Sequence, residues 1–381
     1  MASNSLFIGL MSGTSMDGVD AVLGHIDKAN IRFQHHIHYP YPQTLVEQLQ
    51  SLCLSGPDEI DRMGELDNSV ADCFANATNR LLQSAGIAFH DVTAIGSHGQ
   101  TIRHRPREAG CSAESRFTLQ IGNPHWIAEH TQIPVVADFR RKDMLLGGHG
   151  APLAPGFHNA WLPRTDGTRV VLNLGGIANI TELPAASSQR QVTGFDTGPA
   201  NALLDAWYRQ HHASNTNAES FDRDGVWASQ GEVIPSLLNA LLNDPYFAQR
   251  PPKSTGKEYF NLNWVNNITC TSTYAPEDVQ ATLLALTVES VAHAIENCIS
   301  VTEVVLCGGG ALNTYLINQL QQRLPSLTLV SSHAYGLDPM QVEGMAFAWL
   351  AHQFWNRQPG NLPSVTGAAK SAILGALHLP N

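Results

Sequence analysis

The sequence predicts an α/β protein of two domains that repeat one architecture. Its 381 residues exceed the usual size of a single domain. Patterns of buried strands alternate with segments of helical spacing along the chain. An apolar run, a loop of small residues and a second apolar run occur at residues 8–23 and again at residues 169–181. Two such hairpins, one in each half, indicate a duplicated architecture, although either one alone is also compatible with a plain hairpin.

The first hairpin, IGLMSGTSMDGVDAVL, has a loop crowded with hydroxyl and backbone donors. Gly13 and Gly18 relieve the turn sterically, and concave sets of backbone N–H groups bind phosphate oxygens. A Walker loop would require G-x-x-x-x-G-K-[ST] followed by a helix, whereas the segment after Gly18 suits a strand. The residue types leave a phosphate-binding hairpin and an ordinary hairpin with a polar turn equally open.

Composition excludes several function classes. A formal net charge of −11 gives no basic field to attract nucleic acid or anionic lipid. The chain has neither a basic signal region at its start nor an apolar stretch of membrane-spanning length, so we expect a cytoplasmic protein with a small-molecule ligand. No C-x-x-C pair occurs, which predicts reduced and mostly buried thiols. The cysteines are at positions 53, 73, 111, 270, 298 and 307.

Polar side chains follow two predicted strands. The strand pattern at residues 92–95 leads into the sequence SHGQT, which contains His98 and Gln100, and a second strand pattern ends at Asp138, two residues before Arg140. Open α/β sheets bind ligands at the carboxyl ends of their strands, and a guanidinium binds carboxylate oxygens with two donors. The structural alternatives are a turn capped by His98 and a salt bridge between Asp138 and Arg140.

Two further segments combine a strand with special residues. Asp196 in FDTGPAN precedes a predicted helix whose first turn carries Pro199, so Asp196 is either a helix cap or a general base. A buried strand pattern at residues 304–306 leads into Gly308–Gly310 and a helix from Ala311, which indicates close backbone approach to a flat ligand or tight strand-to-helix packing.

Helical spacing and loop composition complete the prediction. Helices are predicted at residues 45–54, 63–85 with Gly86 as C-cap, 281–300 and 343–355. Residues 103–116 are predicted to form an exposed loop, and residues 356–381 a terminal element packed on the first domain. His35, His36 and His38 suggest a metal site, but alternation puts at least one of them on the opposite strand face and we expect no carboxylate to neighbour them, which favours a solvated strand. For Lys253–Gly256, a surface loop is favoured over a phosphate or sugar contact.

The ordered motifs of the whole chain resemble the signature of the anhydro-N-acetylmuramic acid kinases, a family in the actin, hexokinase and Hsp70 superfamily of ATP-binding folds. The motifs are MSGTSMDGVD, SHGQT, ADFR, GGHGAPL, NLGGIAN, FDTGPAN, PKSTGKEYF and CGGGALN. The resemblance implies a two-domain actin-like ATPase (ribonuclease H-like) fold with a central cleft between the duplicated domains. We expect residues 1–135 and about 350–381 to form the first domain and residues 136–349 the second.

The same resemblance implies the site residues. In the family, the aspartate of FDTGPAN activates water, which assigns Asp196 as catalytic base, with Glu343 as a helper. The substrate-binding residues are expected to be His98, Gln100, Asp138 and Arg140. The nucleotide-binding residues are expected to be Ser12, Gly13, Thr14, Ser15, Met16, Asp17, Gly18, Val19, Asp20, Gly175, Gly176, Gly308, Gly309 and Gly310.

Three functions fit the superfamily: a kinase of an anhydro-sugar, a chaperone-like or filament-forming ATPase, and a sugar-sensing regulator. A regulator usually carries a DNA-reading module and a chaperone a peptide-binding domain, and the sequence has room for neither. We therefore predict an ATP-dependent sugar kinase, which acts as a homodimer by resemblance. Many sugar kinases of the superfamily place an aspartate where Met11 and Ser12 stand here, so we expect Mg²⁺ to bind chiefly through ATP.

Overall fold

The computed structural model describes residues 5–13, 15–28, 30–106, 115–212, 220–268 and 271–381, without the side chain of Ser272. Within these ranges the strands are β1 (Leu6–Ser12), β2 (Gly18–Ile26), β3 (Ile31–Pro40), β4 (Val92–Arg105), β5 (Phe117–Ile121), β6 (Val135–Ala137), β7 (Thr168–Leu174), β8 (Ile177–Leu183), β9 (Thr193–Pro199), β10 (Val301–Cys307), β11 (Thr328–Ser331) and β12 (Ala376–His378).

The helices follow the same numbering in chain order. They are α1 (Gln43–Leu52), α2 (Glu59–Ala85), α3 (Pro124–Thr131), α4 (Arg141–Leu145), α5 (Ala154–Trp161), α6 (Asn201–His212), α7 (Pro235–Leu242), α8 (Pro245–Ala248), α9 (Leu262–Ile268), α10 (Pro276–Glu296), α11 (Thr314–Arg323), α12 (Val342–Trp355) and α13 (Pro363–Thr366). In the described part of the chain, no helix is both long and apolar enough to cross a membrane.

The chain forms two compact units. Unit 1 comprises Met1–Leu162 and Gln341–Asn381, and unit 2 comprises Pro163–Met340. The sequence-based division differs, because it assigned residues 136–162 and 341–349 to the second domain. Two contacts explain their place in unit 1: β6 pairs with β4 in the first sheet, and α12, which packs on β1, β2 and β4, also contacts α5.

The two units contain sheets of the same order and direction. In unit 1 the order is β12-β6-β4-β1-β2-β3, and β5 pairs with β4. In unit 2 the order is β11-β10-β7-β8-β9. The first three strands of each are antiparallel neighbours, and the fourth lies parallel to the first on its other side. This is the ribonuclease H-like arrangement of an actin-like protein, present twice, which confirms the predicted α/β fold class and the duplication.

Glycines let α12 lie directly on the first sheet. A Cβ atom on Gly9 would be 1.8 Å from the carbonyl oxygen of Gly344, and one on Gly96 would be 2.0 Å from that of Phe347. Such distances exclude any side chain, so the backbones of β1, β4 and α12 are in contact. The small residues of α12 therefore serve packing within unit 1.

Most predicted elements are confirmed with shifted ends. Gly86 has φ of 67° and closes α2 as predicted, and residues 376–378 pair with β6 in the first sheet. The predicted strand end at residue 95 is wrong, because β4 continues to Arg105. Its last residues pair with β5, which keeps them extended. Of the predicted loop at 103–116, the first three residues are therefore strand, and residues 107–114 lie outside the described ranges.

The cysteines described in the structure are free thiols. Cys73 and Cys307 are buried, and Cys53 and Cys298 are half-buried. Burial raises the pKa of the Cys73 thiol to about 11 and that of Cys298 to about 12. These thiols are therefore protonated near neutral pH. Cys111 and Cys270 lie outside the described residues.

Candidate functional site

The first hairpin of unit 1 turns between β1 and β2 with its backbone held in place. Ser12 Oγ lies 2.7 Å from the Gly18 carbonyl oxygen and 2.7 Å from Gln100 Oε1, and its one hydrogen serves one of these acceptors at a time. Gln100 Nε2 donates to the Gly13 carbonyl oxygen at 3.1 Å. Gln100, which is fully buried, therefore holds Ser12 and Gly13 at the start of the predicted phosphate loop.

The residues of the turn differ in how much room surrounds them. A Cβ atom on Gly13 would meet only Ser15 Oγ, at 3.8 Å, whereas one on Gly18 would lie 2.3 Å from the Tyr39 carbonyl oxygen. Met16 is buried with φ of 58°, a costly conformation for a residue with a side chain. Gly13 is thus open to an incoming group, whereas Gly18 is required by the fold. Thr14 lies outside the described residues.

The acidic residues after the turn have partners of their own. Ser15 Oγ donates to Asp17 at 2.8 Å. Asp20 on β2 contacts the rings of His36 and His38 on β3 at 3.2 and 3.0 Å. The expectation that no carboxylate adjoins these histidines is therefore wrong, because antiparallel pairing places Asp20 opposite His38. Among the residues that the structure describes, no group of three histidine, cysteine or acidic side chains is arranged to hold a metal ion.

His35 lies on the other face of β3, as the alternation of the strand predicts. Its Nε2 contacts Ser84 Oγ on α2 at 2.8 Å. The Asp20 contact raises the pKa of His38, and burial partly offsets that effect. The pair of histidines on the face of Asp20 therefore forms a small polar cluster beside the turn.

Arg140, which is half-buried, and His98, which is buried, form a pair in unit 1. Arg140 Nη2 lies 2.8 Å and Nε 3.1 Å from His98 Nε2, and Nη1 donates to the Gly150 carbonyl oxygen at 2.8 Å. Burial, followed by the nearby guanidinium, holds the pKa of His98 well below its usual value, so the ring is neutral and accepts from Arg140. Arg140 is therefore paired with His98 and Gly150 and not with Asp138.

Two carboxylates near Arg140 stabilise the positive charge of its guanidinium. Burial lowers its pKa to about 10, and the Glu343 and Asp143 carboxylates oppose that shift. Asp143 is fully buried and accepts hydrogen bonds from the Gly150 N–H, Asn361 and Thr366, each at 2.7 or 2.8 Å. Glu343, in the first turn of α12, is the other carboxylate near the guanidinium.

Asp138 is exposed at the end of β6. Its φ of 61° is rare outside glycine, and its carboxylate lies 3.6 Å from Arg141 Nη1. Burial raises the pKa of the Asp138 carboxyl, and Arg141 opposes the shift. Strained backbone conformations cluster at functional sites.

The second hairpin, in unit 2, uses its turn carbonyls to start a helix. The N–H of Asn201 donates to the Gly175 carbonyl oxygen, and those of Ala200 and Ala202 donate to Gly176, all at 3.1 Å. These N–H groups of the first turn of α6 are therefore satisfied by protein. A phosphate bound here would have to use the N–H groups of the turn itself.

The glycine turn after β10 packs against this hairpin. Gly308 has φ of 79°, and a Cβ atom on it would lie 2.4 Å from Asn173 Oδ1. One on Gly310 would lie 2.7 Å from Leu174 Cβ, whereas one on Gly309 would meet nothing nearer than 3.6 Å. Close packing against β7 explains Gly308 and Gly310, and Gly309 alone offers room to a ligand. A short 3₁₀ turn at Gly309–Leu312 precedes α11.

Asp196 lies within β9 and does not cap α6. Pro199 ends the strand, and the helix begins at Asn201, so the expected helical position of Pro199 is wrong. The strand continues because Asp196 and Phe195 pair with β8. Outside the sheet, residues 253–255 hold Asp196. The Asp196 N–H donates to the Lys253 carbonyl oxygen at 3.2 Å, and Asp196 Oδ2 accepts from the Thr255 N–H at 2.9 Å.

The electrostatics of Asp196 suit a proton acceptor. Burial raises the pKa of its carboxyl to about 7; the Thr255 N–H and Lys253 lower it and Glu258 raises it further. Lys253 Nζ lies 4.5 Å from the centre of the Tyr246 ring and donates to the Tyr246 carbonyl oxygen at 3.1 Å. A carboxylate with a pKa near 7 accepts a proton readily, and about half of it is ionised at neutral pH.

Comparison with known proteins assigns this chain to a family. The sequence profile described as anhydro-N-acetylmuramic acid kinase matches residues 5–380. The chain belongs to the anhydro-N-acetylmuramic acid kinase family. A protein of that name from Shewanella amazonensis is 50% identical over 375 residues, which are 98% of each chain. One from Shewanella halifaxensis is 48% identical over 377 residues, which are 99% of each chain.

This chain is also similar to a solved structure. The (R)-2-hydroxyglutaryl-CoA dehydratase component A from Acidaminococcus fermentans is 9% identical, with a TM-score of 0.44 over 90% of this chain and 96% of that one.

The residues predicted for this kinase family form local groups within each unit. In unit 1, Ser12, Gly13 and Gln100 form one group, and His98, Arg140 and Glu343 another. In unit 2, the glycine turn and the hairpin turn share Asn201, whose Nδ2 donates to the Leu174 carbonyl oxygen at 3.0 Å. Sequence reasoning missed Asn201 and Tyr246, and for Lys253–Gly256 it favoured a surface loop, although this segment holds Asp196 through the Thr255 N–H and the Lys253 carbonyl oxygen. Asn201 ends the motif FDTGPAN, and Lys253 and Thr255 lie in PKSTGKEYF, whereas Tyr246 lies in no motif; main-chain contacts between distant segments cannot be read from residue types.

Proposed function

We propose that this protein uses ATP to open the 1,6-anhydro bridge of anhydro-N-acetylmuramic acid and to phosphorylate O6, giving N-acetylmuramic acid 6-phosphate. Membership in the family makes it a sugar kinase of cell-wall recycling. The observation that carries the mechanism is the Asp196 carboxylate, held by the Thr255 N–H with its pKa raised to about 7.

The substrate dictates the order of bond changes. A 1,6-anhydro sugar has no free 6-hydroxyl group, so O6 becomes a nucleophile only as its bond to C1 breaks. Water attacks C1, the C1–O6 bond breaks, and O6 forms a bond to the γ-phosphorus as the bond to ADP breaks. Asp196 takes the proton from the attacking water. Attack opposite the leaving oxygen inverts the configuration at C1.

Glu343 is proposed as a second carboxylate that assists the same water. Asp196 belongs to unit 2 and Glu343 to unit 1, so this assignment rests on the resemblance to the family. Support comes from its place in the first turn of α12 and its attraction to Arg140.

ATP is proposed to bind through the two hairpin turns and the glycine turn. The open position of Gly13 and the room at Gly175 and Gly309 support this, because each lets a phosphate or a flat base reach the backbone. When bound, Mg²⁺ would neutralise charge on the β and γ oxygens. Since the described residues form no three-ligand metal group, we assign Mg²⁺ chiefly to the ATP phosphates.

The sugar acid is proposed to contact Arg140, His98 and Asp138. Arg140 uses three of its five N–H groups on His98 and Gly150, which leaves two donors for the lactyl carboxylate. Asp138 is exposed and accepts hydroxyl donors. Gln100 is bound on both sides by the first hairpin, so its role is to shape that turn.

Mass spectrometry of the product tests the reaction. Incubation with anhydro-N-acetylmuramic acid, ATP and Mg²⁺ should convert the sugar to a species heavier by one water and one HPO₃ unit, with one ADP formed per sugar. A product that gained only HPO₃, or ADP formed without a change in the sugar, would contradict ring opening by this protein.

We further propose, on the resemblance alone, that the enzyme is a cytoplasmic homodimer. Multi-angle light scattering of the purified protein measures its mass in solution. A mass of about one chain at micromolar concentration would contradict the dimer.

A further inference from the structure

Asp205, on α6 in unit 2, is a half-buried carboxylate that the reaction above does not use. No donor among the described residues lies within hydrogen-bond distance of it, and Arg209, one helical turn further on, attracts it without forming a close ion pair. Neither of its carboxylate oxygens is among the fully buried polar atoms without a hydrogen-bond partner, so both are accessible to a ligand. A half-buried carboxylate without a donor lowers the stability of the folded protein. Binding of a ligand that donates hydrogen bonds to Asp205 would offset this cost.

The position of Asp205 places it beside the glycine turn. It follows Asn201 by four residues on α6, so the two side chains share one helix face with about 6 Å between their Cβ atoms. Asn201 Oδ1 would lie 3.1 Å from a Cβ atom on Gly310, and Asn201 Nδ2 3.8 Å from one on Gly309. Asp205 therefore lies one turn beyond the point where α6 meets Gly309.

A third segment, which begins at Asp222, lies near Asp205. Asp222 acts on Asp205 electrostatically, and its own carboxylate is satisfied by the N–H groups of Trp227 and Ala228 at 2.8 and 2.9 Å. The residues after it pack on the start of α11: a Cβ atom on Gly225 would lie 2.7 Å from Asn313 Oδ1, and Thr314 Oγ1 donates to Asp224 at 3.1 Å. The segment from Asp222 to Gly225 thus connects the surroundings of Asp205 with the start of α11, which follows the glycine turn.

We propose that Asp205 accepts hydrogen bonds from the ribose hydroxyl groups of the bound nucleotide. This assignment rests on the proposed function, in which the nucleotide lies on the hairpin turn at Gly175 and the glycine turn at Gly309. The two oxygens of a carboxylate accept from the two neighbouring hydroxyls of a ribose. A hydrogen bond to a charged group is worth about 10- to 100-fold in affinity, so Asp205 sets the preference for ribonucleotides.

Calorimetry with ADP and 2′,3′-dideoxy-ADP in the presence of Mg²⁺ tests the assignment without requiring turnover. The wild-type protein should bind ADP about 10- to 100-fold more tightly, and Asp205→Ala should bind both to within about twofold of each other. Asp205→Asn should fall between them, since the amide keeps one acceptor. Asp166→Asn, an exposed change before β7, is the matched control and should retain the full preference.

The outcomes separate this assignment from the proposed function. An equal affinity of the wild-type protein for the two nucleotides, or an undiminished preference in folded Asp205→Ala and Asp205→Asn, would overturn it. A lost preference in the variants of a protein that does not convert anhydro-N-acetylmuramic acid would uphold Asp205 and refute the sugar kinase. Normal conversion of the sugar with an unchanged nucleotide preference would refute the role of Asp205 alone.

Discussion

Thr255 donates its backbone N–H to the Asp196 carboxylate across 2.9 Å. The main chain of Asp196 is held at the same time, by the Lys253 carbonyl oxygen and by the Tyr246 hydroxyl, which donates to the Asp196 carbonyl oxygen at 2.7 Å. A segment 57 to 59 residues away in sequence thus positions the proposed base and adjusts its proton affinity.

Removing the Thr255 N–H should move the pH profile of turnover. This N–H lowers the pKa of Asp196, so Thr255→Pro should shift the acidic limb of kcat to higher pH, because proline has no backbone donor. Thr255→Ala keeps the donor and is the matched control. The measurement is kcat against pH for the three proteins, and identical acidic limbs in wild type and the proline variant would contradict the role of this bond.

Asp196 should destabilise the folded protein at neutral and alkaline pH. Its folded pKa, about 7, lies above the unfolded value near 3.8, so the folded state binds the proton more tightly and stability falls as pH rises from about 4 to 7. Asp196→Asn removes this cost, and its melting temperature should exceed that of wild type at pH 8, with the gap closing toward pH 4.

Thermal melting of both proteins from pH 4 to pH 8 measures that gap. Asp244→Asn is a suitable comparison, because the Asp244 carboxylate in the same region accepts hydrogen bonds from the Tyr246 N–H and Trp264 Nε1 and so contributes stability. It should lower the melting temperature where Asp196→Asn raises it. An Asp196→Asn protein less stable than wild type at pH 8 would show that the carboxylate is a structural group.

The first hairpin distinguishes an open glycine from a required one. Gly13→Val should leave the fold intact, because the new side chain enters open space beside the turn. There it would block the approach of a phosphate to the backbone, so ATP binding should weaken by about tenfold or more. Gly18→Val should instead lower the melting temperature strongly, since its Cβ would lie 2.3 Å from the Tyr39 carbonyl oxygen. Calorimetry with ATP and thermal melting separate the two effects. Normal ATP affinity in folded Gly13→Val would remove this turn from the nucleotide site.

Arg140 should act on the sugar and not on the nucleotide. Arg140→Lys loses the planar fork that binds His98 and Gly150, so KM for the sugar should rise about tenfold or more while KM for ATP changes little. Arg141→Lys is the neighbouring control, because Arg141 is exposed and its contact with Asp138 is 3.6 Å long. Equal KM values for the sugar in both variants would exclude Arg140 from the sugar site.

The sequence predicted the fold class because periodicity and hairpin chemistry are local. Helix α2 and its Gly86 cap, the two hairpins and the strand before Gly308 each depend on a short run of residues. The extension of β4 past residue 95 depends on pairing with β5. That pairing depends on another segment, so the local pattern of apolar residues ends too early.

Site residues were predicted by motif, whereas their partners were not. The neutral state of His98 follows from its burial against Arg140, 42 residues later in the chain. Likewise, Gly308 and Gly310 are explained by contacts with Asn173 and Leu174, although a run of three glycines suggested contact with a ligand. Tertiary neighbours decide such roles, and residue types alone leave them open.

Turnover of Asp196→Asn in water enriched in ¹⁸O tests the central claim most directly. The amide keeps the shape and removes the base, so kcat should fall by roughly 10²–10⁴ while ATP affinity is little changed. The residual product and the wild-type product should both carry ¹⁸O at C1 and none in the phosphate ester. Near-normal turnover in Asp196→Asn, or ¹⁸O in the bond between O6 and phosphorus, would contradict the mechanism.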